Sequence, residues 1–374
     1  MKLLFVSQDF PPVTGGIQTY SHQLALNFSR KHEVSVIAPA HRKGATFDRH
    51  QPYRTYRFPI GHTSMFGINT FFTIASIASK TGSRTVFHSQ HTTATGSMMA
   101  KRLGLIDNFY IAAHGREILR NGYTLCHPAV RKRVLLEASA LFPVSRYTSG
   151  LLTKEHVPDD RIKVVNNGVD LEHFFPREVR QFRETNALSG KRIILSAARL
   201  VPRKGMDTVI RAFDGICERY DDVLLLIAGD GPDRKRLENL AGRHRKTGRI
   251  RFAGHVPYED LPFYYSAADV FAMPARQEED GSVEGFGLVF LEANACSTAV
   301  IGSFSGGIPD AVEHGVNGLL VDPGSVRHTA RALSTLLDDY EYRSKLARQG
   351  MKRAQRFTWE NAAAKIMDCM EVKK

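Results

Sequence analysis

The residues best suited to chemistry gather in the second half of the chain. Ser196-Ala197-Ala198-Arg199-Leu200-Val201-Pro202-Arg203-Lys204-Gly205 sets Arg199 at the end of a predicted strand and Lys204 just before a predicted helix. Ligands bind at such strand ends in doubly wound sheets, and two fixed cations there suit a pyrophosphate. Facing a leaving diphosphate, each would stabilise charge that develops as the bond breaks, by about 3 kcal/mol per well-placed donor. A solvated basic turn is the plainer alternative. Glu284-Gly285-Phe286-Gly287-Leu288-Val289-Phe290-Leu291-Glu292 adds two carboxylates eight residues apart at the front of a predicted helix. That spacing is a little over two turns and would put both on one helix face. Glu284 is then suited to accept from sugar hydroxyls and Glu292 from ribose hydroxyls, with the Gly287 and Leu288 amides meeting phosphate at the helix start. Glutamates at this spacing are common by chance, so the pair counts only together with its neighbours.

Two glycine turns are those neighbours. Ala228-Gly229-Asp230-Gly231-Pro232 joins a predicted strand to a predicted helix, and its aspartate could cap that helix or touch a ligand. Near the start, Asp9-Phe10-Pro11-Pro12-Val13-Thr14-Gly15-Gly16-Ile17 joins strand, glycine loop and helix. Backbone N–H groups at Gly15 and Gly16 and the positive helix end present a cradle for an anion such as a diphosphate. The loop matches neither G-x-G-x-x-G nor G-x-x-x-x-G-K-[ST]. A tight connecting turn remains the alternative.

These motifs need sheets to carry them. From the start, short β-rich runs (residues 3–7, 33–38, 85–88 and 109–113) alternate with amphipathic segments such as 16–31, which predicts a parallel sheet. The same rhythm restarts with runs at 192–197, 223–228, 250–253, 270–273 and 299–301 and helices near 206–220 and 233–247. Residues 166–190 are turn-rich. The expected organisation is α/β: two doubly wound, Rossmann-like domains facing a cleft, over residues 1–170 and 171–357. A helix over 358–374, opened by Thr358, is expected to cross back to the first.

Length and composition agree, since 374 residues give room for two domains. The net charge is +13, and residues 1–170 hold 21 Lys/Arg against 10 Asp/Glu. That field attracts an anionic membrane, nucleic acid or a phosphorylated acceptor, or simply keeps the surface solvated. Four scattered cysteines (Cys126, Cys217, Cys296, Cys369) show no C-x-x-C pair, so reduced thiols are expected. The apolar run before Gln8 is too short for a signal peptide, and the stretch 65–78 falls below the ~20 residues that span a bilayer. A cytoplasmic protein is expected.

The Gly-Gly loop, Arg-x4-Lys, Gly-Asp-Gly-Pro and Glu-x7-Glu, in this order over nearly the whole chain, resemble the retaining glycosyltransferase family GT4 with its GT-B fold. Within it, residues 9–18, 199–205 and 271–276 leading into 283–293 are similar to the bacterial GDP-mannose-dependent phosphatidylinositol mannosyltransferases of the B type. The resemblance implies that Arg199 and Lys204 hold the donor's diphosphate, Glu284 its sugar, Glu292 its ribose, and Gly16 a phosphate from the first domain. It gives His114, in Ala113-His114-Gly115, a place beside the transferred sugar; a histidine closing a strand end is the alternative. It puts the nucleobase on the backbone at Gly254-His255-Val256-Pro257. The sequence departs from the phosphatidylinositol enzymes at Arg116-Glu117 and over 120–133, where the acceptor is expected.

The implied reaction is α-retaining transfer of a hexose, mannose from GDP-mannose, to a lipid-linked or glycan acceptor. No cofactor or metal is expected: no Asp-x-Asp lies at a strand end, and Arg199 with Lys204 can replace a divalent cation. A UDP-sugar on the same scaffold, giving glucosyl, galactosyl or N-acetylglucosaminyl transfer, is the rival. A non-catalytic nucleic-acid binder would explain the basic half but not Arg199, Lys204, Glu284 and Glu292, and no nucleic acid is expected. Peripheral binding to anionic lipid on the inner face of the cell membrane is expected through Arg116, Arg120, Arg131, Lys132 and Arg133, at up to ~1 kcal/mol per cation, unless these line the acceptor pocket.

Overall fold

The structure, a computed structural model, describes residues 1–58, 66–119, 128–243 and 247–371. Arg120 and Cys126 lie outside them. The chain forms two compact units, one of Met1–Asn167 with Trp359–Lys374 and one of Gly168–Thr358.

Each unit is built on a six-stranded sheet. The first holds β1 (Lys2–Val6), β2 (Glu33–Pro39), β3 (Arg54–Phe58), β4 (Thr85–His88), β5 (Asn108–Ala113) and β6 (Ala140–Pro143). The second holds β7 (Arg192–Ala197), β8 (Val223–Ala228), β9 (Ile250–Gly254), β10 (Val270–Ala272), β11 (Ala299–Ser303) and β12 (Gly318–Val321). Every strand pair is parallel. Parallel strands are covered on both faces and read as unbroken apolar runs: Ile193, Ile194 and Leu195 of β7 are fully buried, as are Val300 and Ile301 of β11. Edge strand β3 and the short strands β6 and β12 escape the sequence pattern. β3 carries Arg54 and Arg57, which interrupt its run, and the other two are four-residue strands at sheet edges.

The strand orders, β3-β2-β1-β4-β5-β6 and β12-β11-β10-β7-β8-β9, are one arrangement used twice. The order reverses between β1 and β4 in the first sheet and between β7 and β10 in the second. The crevice outside the carboxyl ends of such a strand pair is where ligands bind in open α/β sheets. Helices end earlier than the sequence suggests, at Met206–Ile216 and Arg234–Gly242. The apolar stretch after residue 65 forms the helix Phe66–Thr81, and among the described residues no helix is long and apolar enough to cross a membrane. The terminal helix Trp359–Glu371 returns to the first unit, where Trp359 packs edge-on against Tyr20, 5.9 Å between ring centroids. Cys217 and Cys296 are buried and Cys369 half-buried, all as free thiols.

After β7 the chain makes one 3₁₀ turn, Pro202–Lys204, and enters the next helix through Gly205 in the left-handed region, φ 74°. A Cβ there would lie 2.3 Å from the Pro274 carbonyl oxygen, so the glycine is required both by its dihedral and by the close passage of the β10 loop. Gly190, at φ 70°, has nothing within 4 Å of an added Cβ. Gly190→Ala is therefore expected to cost only the backbone strain, about 1 kcal/mol, and Gly205→Ala about 3 kcal/mol or more. Urea unfolding of the two variants checks this, and equal losses would contradict the packing argument.

Candidate active site

The β7/β10 crevice is stitched together by backbone contacts. The Arg276 N–H, in the loop after β10, donates to the Arg203 carbonyl at 2.8 Å. Its guanidinium reaches forward to Asp207 in the first turn of Met206–Ile216, also at 2.8 Å. Ser196 Oγ on β7 donates to the Ala272 carbonyl on β10 at 2.6 Å. The loop after β11 adds a third wall: Gly307 N–H donates to the Glu284 carbonyl at 2.9 Å. A Cβ on Gly306 (φ 55°) would sit 2.3 Å from that same oxygen. Three loops thus hold the backbone at Arg203, Lys204 and Glu284.

Their side chains converge on one atom. Glu284 Oε2 accepts from Lys204 Nζ at 2.6 Å and from Arg203 Nη1 at 2.7 Å. The Glu284 and Lys204 side chains are only 13% and 11% exposed. Burial alone would raise the Glu284 carboxyl, but the Lys204 ammonium and the Arg203 guanidinium outweigh it and bring the pKa down to about 2. Burial pulls Lys204 below the usual amine value, against the opposing pull of Glu284.

Glu292 shows the reverse balance. Burial raises its carboxyl to about 7, and the hydrogen bond from Tyr265 with the charge of Lys204 only partly offsets this. Tyr265, on the helix Leu261–Ala267, donates its hydroxyl to Glu292 Oε2 at 2.8 Å.

The expected helical face is corrected here. The helix runs only over Leu288–Ala295, entered through Gly287 at φ 92°, and Glu284 lies in the loop before it. Gly287 turns the chain too sharply for an earlier helix start, and the two carboxylates are related through Lys204, whose charge acts on both. Leu288 is the first helical residue. Phe286 is buried, its ring 6.2 Å from that of Phe357. Val256 is buried in the loop after β9.

The other expected residues have the following places. Arg199 is exposed and, among the described residues, makes no ion pair; it does not join Lys204 on Glu284. Gly229, at φ 134°, is explained by packing, because an added Cβ would lie 2.0 Å from the Ala198 carbonyl oxygen. Asp230 does not cap the next helix. It accepts from the Gly231 N–H at 2.7 Å, and the N-cap is Asp233.

In the first unit, Gly16 opens the helix Gly16–Ser29, with Gly15 at its N-cap. Gln18 donates to Asp9 Oδ1 at 2.9 Å across the turn. His114 follows β5. Its Nε2 lies 2.9 Å from the Ser89 carbonyl, which can only accept, so Nε2 carries the proton and Nδ1 keeps a lone pair. Burial depresses the His114 pKa, against the pull of Glu117 and the Ser89 hydrogen bond, so the ring is neutral at neutral pH. Among the cations expected to meet lipid, Arg131 is corrected: it is buried, donates to the Ile118 carbonyl and pairs with Glu155 at 2.7 Å. Lys132 and Arg133 are exposed. The Arg116 side chain lies outside the description.

Comparison with known proteins meets this geometry. Family models described as "Glycosyltransferase Family 4" and "Glycosyl transferases group 1" match residues 14–173 and 178–353. A Mycobacterium tuberculosis protein named GDP-mannose-dependent alpha-(1-6)-phosphatidylinositol monomannoside mannosyltransferase is 32% identical over 98% of this chain and 97% of its own. The chain is a family 4 glycosyltransferase. A Corynebacterium glutamicum relative, named for the monoacylated form of the same acceptor, is 28% identical over 99% of this glycosyltransferase and 98% of its own length. The crystal structure of Anabaena HepE in complex with UDP superposes with a TM-score of 0.85 at 20% identity, each chain fully covered, which fixes the fold as GT-B.

Sequence reasoning gave no role to Arg203 or Tyr265 in this glycosyltransferase. Arg203 stands within the Arg199–Lys204 stretch, where its adjacency to Lys204 is the available signal; Tyr265 sits 27 residues from Glu292 with no local cue. The Glu292 carboxyl has a testable consequence. Its folded pKa, about 7, exceeds the ordinary value near ~4.3, so its protonated form favours the fold. That contribution is full below pH ~4 and is lost as pH rises through 7. Wild type is expected to lose stability relative to Glu292→Gln between pH 5 and 8, by up to about 3 kcal/mol. Urea midpoints at both pH values check this, and a gap that moves the other way would overturn the assignment.

Proposed function

We propose that this glycosyltransferase moves mannose from GDP-mannose, with retention, to a hydroxyl of a lipid-linked or glycan acceptor. The Arg203–Lys204–Glu284 cluster at the β7/β10 crevice, with Lys204 buried and the other two half-buried, carries the reading. It supplies fixed cations for a diphosphate and an ionised acceptor for sugar hydroxyls at one point. The donor and the glycolipid acceptor are supported by the activities named for the 32% and 28% identical relatives.

In this proposal Lys204 and Arg199 stabilise the departing nucleoside diphosphate, Glu284 orients the sugar, and Glu292 takes the ribose. The Gly287 and Leu288 amides meet phosphate at the helix start. Backbone near Val256 reads the base. Gly15, Gly16 and His114 keep the roles given by the family pattern. The sugar C1–O bond breaks, and the acceptor oxygen attacks the same face. Its proton passes to the leaving phosphate oxygen, and no enzymic nucleophile is used. The cations supply the charge stabilisation, so activity is expected to survive EDTA. A covalent sugar adduct on Glu284 would refute the mechanism.

Calorimetric titration with GDP, UDP and ADP tests the donor. GDP is expected to bind best, with the affinity reduced about tenfold or more in Lys204→Ala and in Arg199→Ala, the usual effect of removing a charge-assisted hydrogen bond. Preference for UDP would retain the scaffold and discard mannose; binding of none would remove the donor-site assignment.

The acceptor reading extends to the membrane. The exposed cations Lys132 and Arg133 share the helix Pro128–Glu137, and each contributes up to ~1 kcal/mol at an anionic surface. Sedimentation with phosphatidylserine vesicles is expected to exceed that with neutral ones and to fall in Lys132→Glu/Arg133→Glu. Equal sedimentation would sink the membrane proposal alone.

A further inference from the structure

Glu284 Oε2 holds two cations at once, and they are not equivalent. Lys204 carries its charge at the end of a flexible stem. It is the residue assigned to the diphosphate, so Glu284 and a bound donor draw on the same ammonium, and a donor oxygen that pulls it closer weakens its hold on Glu284. Withdrawing it would strand a buried carboxylate, and an uncompensated buried charge is strongly destabilising. Arg203 is placed to prevent that. Its backbone carbonyl is fixed by the Arg276 N–H at 2.8 Å, and its guanidinium meets Glu284 Oε2 at 2.7 Å. It is 26% exposed against 11% for Lys204.

We propose that Arg203 is the standing counter-ion of Glu284, which lets Lys204 exchange Glu284 for the donor's diphosphate. The proposal rests on the donor-site reading above and makes Arg203 a positioning residue, acting on the diphosphate through Glu284 and Lys204. The charged side chains acting on Glu284 are Lys204 and Arg203, and Lys204 in turn feels Glu292. In the absence of Arg203, Lys204 is the remaining partner of Glu284, and a nucleoside diphosphate must compete with the carboxylate for it.

A double-mutant cycle read by calorimetry tests this. Wild type, Arg203→Met, Glu284→Gln and the double variant are titrated with GDP and with UDP. Arg203→Met is expected to weaken binding of the preferred nucleotide about tenfold in the wild-type background, a coupling typical of residues in one ion-pair network. In the Glu284→Gln background, where no carboxylate competes, it is expected to change binding less than twofold. Arg203→Lys keeps the charge and is expected to restore near-wild-type affinity. Equal losses in both backgrounds would make Arg203 a direct phosphate ligand and overturn the proposal, as would no loss in either. Loss in Arg203→Lys equal to that in Arg203→Met would overturn it too. Failure of wild type to bind either nucleotide would instead remove the donor-site reading, and this proposal with it.

Discussion

A carboxylate as enclosed as Glu284 stays ionised only if cations meet it, and the second unit is arranged so that two do. Both come from one three-residue turn, Pro202–Lys204, so that turn must be held in place. Gly205 lets it nest against the Pro274 carbonyl, Arg276 grips it from the backbone of the β10 loop, and Asp207 anchors Arg276 in turn. On the other side, Gly306 and Gly307 admit the Glu284 carbonyl so closely that no side chain would fit at Gly306. The glycines of these loops are consequences of the ion pair as much as of the turns.

The same geometry separates two chemically identical groups. Glu284 and Glu292 both suffer burial, but Glu284 touches two cations and falls to about 2, whereas Glu292 has a phenol and a more distant ammonium and rises to about 7. An always-ionised carboxylate can only accept hydrogen bonds. A carboxyl that titrates near neutrality can donate as well. Lys204, felt by both, links the two carboxyls electrostatically.

Much of this was legible in the residues. Runs such as 192–197 and 223–228 coincide with β7 and β8 to the residue, because strands buried on both faces are near-continuously apolar. Lys204 and Glu284 were singled out by residue type and motif, and the fold brings them to 2.6 Å. Glu284 and Glu292 do not share a helix face, and periodicity cannot reveal that Gly287 delays the helix start to Leu288. Arg131 read as surface charge, and only tertiary structure supplies Glu155 as its buried partner. Tyr265 was invisible for the same reason: its contact with Glu292 spans elements that local sequence does not relate.

The first unit repeats the logic with neutral groups. Trp359 from the terminal helix packs on Tyr20, and Tyr20 packs edge-on against His114 at 4.6 Å. The Ser89 carbonyl fixes the proton on His114 Nε2. A ring packed against an aromatic and hydrogen-bonded at one nitrogen is fixed in orientation, and its other nitrogen with it. Since burial also keeps the imidazole neutral, Nδ1 is an acceptor at neutral pH and so suits a hydroxyl rather than an anion. The last helix of the chain therefore reaches His114 through a single intervening ring, and the return of that helix to the first unit is part of how the imidazole is oriented.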